Sequence, residues 1–199
     1  GGSVTLSSGK GQVSSGSIVV QSHSSQIGTT GSIAIATGSS SGGSTGSILL
    51  ATGDSLEGNE NAGAGNIIMS VGSSQANKGG NIIIEAGSVD GEANENSAGG
   101  DVSILSGAGG ELNNGGDVSI KTTKSILGNS GAISLMTGAS ESLSSGDIRL
   151  ATGDAAVAGS GSVVLRVGNA ESGNGGNVQL LAGSSLSESL DSDGNGHIG

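Results

Sequence analysis

The sequence predicts an all-β chain, a parallel β-solenoid (β-helix) of about 15 residues per strand-turn unit, and three observations predict it. First, the stretch Gly31-Ser32-Ile33-Ala34-Ile35-Ala36-Thr37-Gly38 recurs in close copies from one end of the chain to the other. Second, each copy alternates large aliphatic residues with variable ones, which is the period of two expected of a half-buried strand. Third, the copies begin at Gly2, Gly16, Gly31, Gly46, Gly65, Gly80, Gly100, Gly116, Gly131, Gly146, Gly161 and Gly176, most often 15 residues apart. So short a fixed period is the mark of a repeat architecture.

Counting the starting glycine as the first position, the third is Val4, Ile18, Ile33, Ile48, Ile67, Ile82, Val102, Val118, Ile133, Ile148, Val163 and Val178 along the chain. The fifth runs from Leu6, Val20 and Ile35 to Leu150, Leu165 and Leu180 and is aliphatic in every copy, with Met69 once. The seventh is small or medium, as in Ser8, Thr37, Val71, Ala86 and Ala182. Each predicted strand therefore offers large, large, small to one face. Two units per coil, facing each other antiparallel in a flat two-sheet sandwich, would set large against small and conserve volume across the roughly 10 Å between sheets. The three long connections follow the fourth, sixth and twelfth copies, all even, which fits the same pairing.

From residue 1 to about 53 the copies are short and nearly uncharged, and Gly and Ser stand in the connections where turns need them. Two connections between residues 54 and 98 lengthen and become acidic, around Glu57 and Glu60 and around Glu92 and Glu95. From 100 to 183 the rhythm mostly returns, with Asn114-Gly115 and Asn174-Gly175 as turn pairs that tolerate positive φ. The connection from Ser184 to Asn195 is long and acidic again, and Gly196-His197-Ile198 starts a thirteenth copy. Residues 1–199 read as a single continuous array. Both ends fall inside the repeat, as expected of a segment of a longer repetitive chain.

With 42 Gly and no Phe, Tyr, Trp, Pro or Cys, the chain cannot build an ordinary globular core. The aliphatics nevertheless keep their phase through every copy, which an unstructured Gly/Ser chain would not require. Disulfide and thiolate chemistry are excluded, and no apolar run approaches the roughly 20 residues that cross a bilayer. The formal charge of −11, from 17 acids against 6 bases, disfavours nucleic acid and anionic membranes as partners.

Candidate sites are few. Asp191, Asp193 and Asn195, with Gly194 between them and Ile198 following, match the early positions of a calcium loop. The acid expected at the twelfth position would lie beyond Gly199, and the same residues can equally be an acidic turn that restarts the repeat. No cofactor is certain from the sequence; calcium, at Asp191, Asp193 and Asn195, is the one candidate. The acidic turns at Glu57/Glu60 and Glu92/Glu95 would form a solvated edge. His23 and His197 lie far apart in sequence, no Ser has a local His/Asp partner, and no phosphate-binding loop ends in Lys-Ser/Thr, so no enzyme is expected. Thr37, Thr52, Thr137 and Thr152 share the face of the aliphatics, where an ice-binding array would need them outward. Among outward residues, Val19, Leu49 and Ile83 form an apolar stripe, expected to be a self-association interface.

The units Gly-Gly-Asp-Val-Ser-Ile at 99–104 and 115–120, and Gly-Gly-Asn-Val-Gln-Leu at 175–180, resemble the glycine-led strands of filamentous-haemagglutinin-like adhesins. They also resemble Gly/Ser-rich repeats of large secreted proteins of microbial eukaryotes, including algae. The resemblance implies an extracellular or cell-surface β-solenoid. The expected function is structural: a filament, sheath, pilus or flagellar-hair-like appendage formed by stacking with other copies of the chain or other filament subunits. The alternative is a ligand-binding solenoid, either an adhesin or an ice-binding protein.

Overall fold

The computed structural model describes residues 1–56, 63–75, 78–90, 97–111 and 113–183. Among them there is no helix and no β-strand. The expected parallel β-solenoid, with its two-unit coils and two-sheet sandwich, is therefore not formed. What is missing is the hydrogen-bonded ladder: only four backbone–backbone hydrogen bonds join the described residues, none of them within an aliphatic segment. The physical reason lies in the composition. Each copy supplies two large aliphatics and no aromatic, while the many glycines lose more conformational freedom on ordering than any other residue.

The chain divides into two units, Gly1–Ser103 and Ile104–Gly199. The division falls inside the copy that starts at Gly100.

Within each unit the same reversal recurs. The seventh residue of every copy from Gly2 to Gly161 lies against the first glycine of the next copy. A Cβ placed on Gly46 would stand 3.6 Å from Thr37 Cγ2, on Gly161 3.4 Å from Thr152 Cγ2, and on Gly176 3.0 Å from Val167 Cγ1. First and seventh positions have the same parity as the aliphatic third and fifth. Consequently each copy turns its aliphatic face toward its neighbours, side chain to side chain, rather than pairing backbones as a hairpin does. At the last reversal Leu165 and Val167 share one open groove of about 640 Å³ with Gly176 and Val178, which sets a fifth position across from a third.

The need for glycine at the copy start differs among copies: an added Cβ would be crowded at Gly80, Gly131 and Gly176 and in ordinary contact at the other starting glycines from Gly16 on. The tightest case is Gly80, where an added Cβ would meet Val71 Cγ1 at 2.7 Å. Valine is stiff at χ1 and yields poorly. Gly80→Ala is expected to open that reversal, at a cost of about 1–2 kcal/mol, whereas Gly46→Ala fits, and Val71→Ala restores closure in the Gly80 variant. Spin labels on Ser70 and Asn81 would check this. An unchanged distance in Gly80→Ala would show that the reversal does not depend on the missing Cβ.

The connections have their own supports. In four copies a serine at the tenth position accepts a hydrogen bond from the backbone N–H three residues on. These are Ser25 from Gly28 (3.0 Å), Ser40 from Gly43 (3.1 Å), Ser125 from Gly128 (3.1 Å) and Ser140 from Leu143 (3.1 Å). The hydroxyl does for these bends what a backbone carbonyl does in an ordinary turn. Before Gly116 the turn closes through backbone instead, with Gly116 N–H donating to Gly107 O at 2.9 Å and Asn113 N–H to Gly110 O at 3.1 Å. Gly109 sits so close to the Asn113 carbonyl that no other residue fits there. Among the described residues positive φ occurs at Gly173 alone, at +102°, and not at Asn114, Gly115, Asn174 or Gly175 as the Asn-Gly pairs had suggested.

Candidate functional site

The candidate site is the set of aliphatic segments itself, because the molecule has no interior to compete with it. No described residue is buried. The whole chain, 18.6 kDa, exposes 20311 Å². A folded monomer of that mass would expose about 8,000 Å² and its unfolded chain about 27,000 Å².

Exposure is nevertheless patterned. Ile18, Ile48 and Ile82, at third positions, are 49%, 49% and 53% exposed, while their chain neighbours Val19, Leu49 and Ile83 stand at 72%, 86% and 73%. The difference holds at third positions only: fifth-position side chains such as Ile35 and Leu165, both 73% exposed, are as bare as outward Val19 and Ile83.

Each segment so presents an aliphatic row that is about half exposed or more, and among the described residues no backbone–backbone hydrogen bond lies within a segment. Charge is placed elsewhere for the most part. No third, fifth or seventh position is charged, and most acids lie in the connections or at second positions such as Asp101, Asp117 and Asp147.

Of the residues singled out from sequence, Val19, Leu49 and Ile83 are exposed, and the sheet that was to align them as a stripe is not formed among the described residues. Asp191, Asp193 and Asn195 lie outside the described residues, as do Glu57, Glu60, Glu92, Glu95 and His197. Among the described residues no three His, Cys, Asp or Glu come together in a way that could hold a metal ion. No helix among them is long and apolar enough to cross a membrane, in keeping with the expectation of no membrane insertion.

Two features escaped the sequence reading. The contact between first and seventh positions was signalled by the coincidence of an invariant glycine with a small residue just before each connection. The serine-capped bends were signalled by Ser25, Ser40, Ser125 and Ser140 falling at one position of their copies. Comparison with protein-family models, with characterised proteins and with solved structures gives no match.

Proposed function

We propose that this chain is a structural protein that self-associates through its repeated aliphatic segments into an extracellular filament, sheath or appendage. The observation that carries this reading is the aliphatic row, held in one phase through copy after copy and buried nowhere among the described residues. Apolar surface so regular and so extensive is stabilised only by burial against another surface. The rows belong to every copy, so the surface that answers them is equally repetitive. The charge of −11 keeps dispersed chains apart and soluble until they assemble.

Electron microscopy and sedimentation of the purified chain over a range of concentration test the reading. Regular fibres or sheets above a threshold concentration are expected. A chain that stays monomeric at every concentration and salt overturns it.

A further inference from the structure

We propose that the partner of each aliphatic segment is the same segment of a second copy of this chain, lying edge-on, parallel and in register. This rests on the self-assembly reading above and gives it a defined geometry.

Three observations lead to it. Among the described residues no backbone–backbone hydrogen bond lies within an aliphatic segment, so its row of donors and acceptors is open to pairing. An extended strand is the structure that pairs such a row, and a strand with the same sequence places aliphatic beside aliphatic and glycine beside glycine at every step. The glycines matter here. Where the seventh residue of the copy before crowds a first-position glycine, as at Gly80 and Gly176, a layer of the same sequence repeats the closure without added strain.

The second observation sets the register. Intervals between starting glycines are mostly 15, but Gly46 to Gly65 is 19, Gly80 to Gly100 is 20 and Gly100 to Gly116 is 16. A partner shifted by one copy would lay a connection of one length over a connection of another and lose alignment at each irregular interval. Reversing the partner fails as well, because the order of intervals is not the same read backward. Zero offset in the parallel sense alone matches all twelve copies. The irregular connections thus act as a register key that a perfectly periodic chain would lack.

The third observation is area. The chain exposes roughly 12,000 Å² more than a folded monomer of its mass, several times the roughly 1,200–2,000 Å² that a stable interface buries. A neighbour on each edge therefore has surface enough to hold it.

The sequence supplies a direct test. Its two methionines, Met69 and Met136, lie in different copies, so carbonyl-¹³C methionine labels two positions and no others. The full chain, labelled in this way, is concentrated in buffered NaCl until it assembles. Carbon–carbon dipolar recoupling by solid-state NMR then measures the distance from each label to its nearest equivalent. In-register parallel pairing places that distance at about 4.8 Å for both residues. Fibres in which it is roughly 8 Å or more, the separation after a slip of two residues, overturn the in-register pairing and leave self-assembly standing. Absence of any assembly overturns both.

Discussion

Ile35→Asp is expected to abolish assembly while leaving the isolated chain almost unchanged. In the dispersed chain Ile35 is 73% exposed, so a carboxylate there displaces few contacts and meets water. Far-ultraviolet circular dichroism of dilute protein should therefore coincide with that of the parent. In the assembly the same position becomes part of a covered aliphatic row, and an unpaired carboxylate is carried into it once per layer. At about 3 kcal/mol per layer for an imperfectly solvated charge, the threshold concentration rises roughly 100-fold. Ala36→Asp, one residue along and on the opposite face, adds the same charge without entering the row and should raise the threshold only a few-fold. Sedimentation of both variants over a concentration series checks the pair. Equal effects of the two would mean that the facing read from alternation does not govern assembly.

The second large effect expected is on the rate of assembly as salt rises. Bringing together chains of formal charge −11 sets like charge near like charge, and in-register pairing would set Asp101, Asp117 and Asp147 beside their own equivalents about 4.8 Å away. Raising NaCl from about 0.01 M to about 0.15 M shortens the screening length from roughly 30 Å to roughly 8 Å. The lag before light scattering appears should fall at least about tenfold across that range. Charge-neutral sugars at equal osmolality should leave it in place. A lag that is independent of salt, or that lengthens with it, would show that repulsion between chains does not limit association.

The two effects have a common origin in the division of labour along each copy. Third, fifth and seventh positions are uncharged throughout, so what drives chains together sits in the segments. Most charge sits in the connections, so what holds chains apart lies at the reversals. The serines at 25, 40, 125 and 140 keep several of those reversals shaped by local hydrogen bonds that need no partner chain. If the proposed self-assembly holds, such a chain would enter it with several of its turns already made and its segments still open.

Sequence by itself determined the unit, its phase and its facing. Ile18 against Val19 and Ile48 against Leu49 differ in exposure as alternation requires, because the direction of successive side chains along extended backbone is a local property. It also pointed to the absence of a conventional core, since a chain without aromatics cannot pack one. Only the tertiary structure decided that the units do not pair into a sheet within one chain, and that first-position glycines close against seventh residues. Both depend on whether distant segments find each other, and that is a balance between backbone entropy and burial over many residues. The alternation of Ile33 and Ile35 is the same whichever way that balance falls, so the pattern could specify which face is apolar but not which molecule covers it.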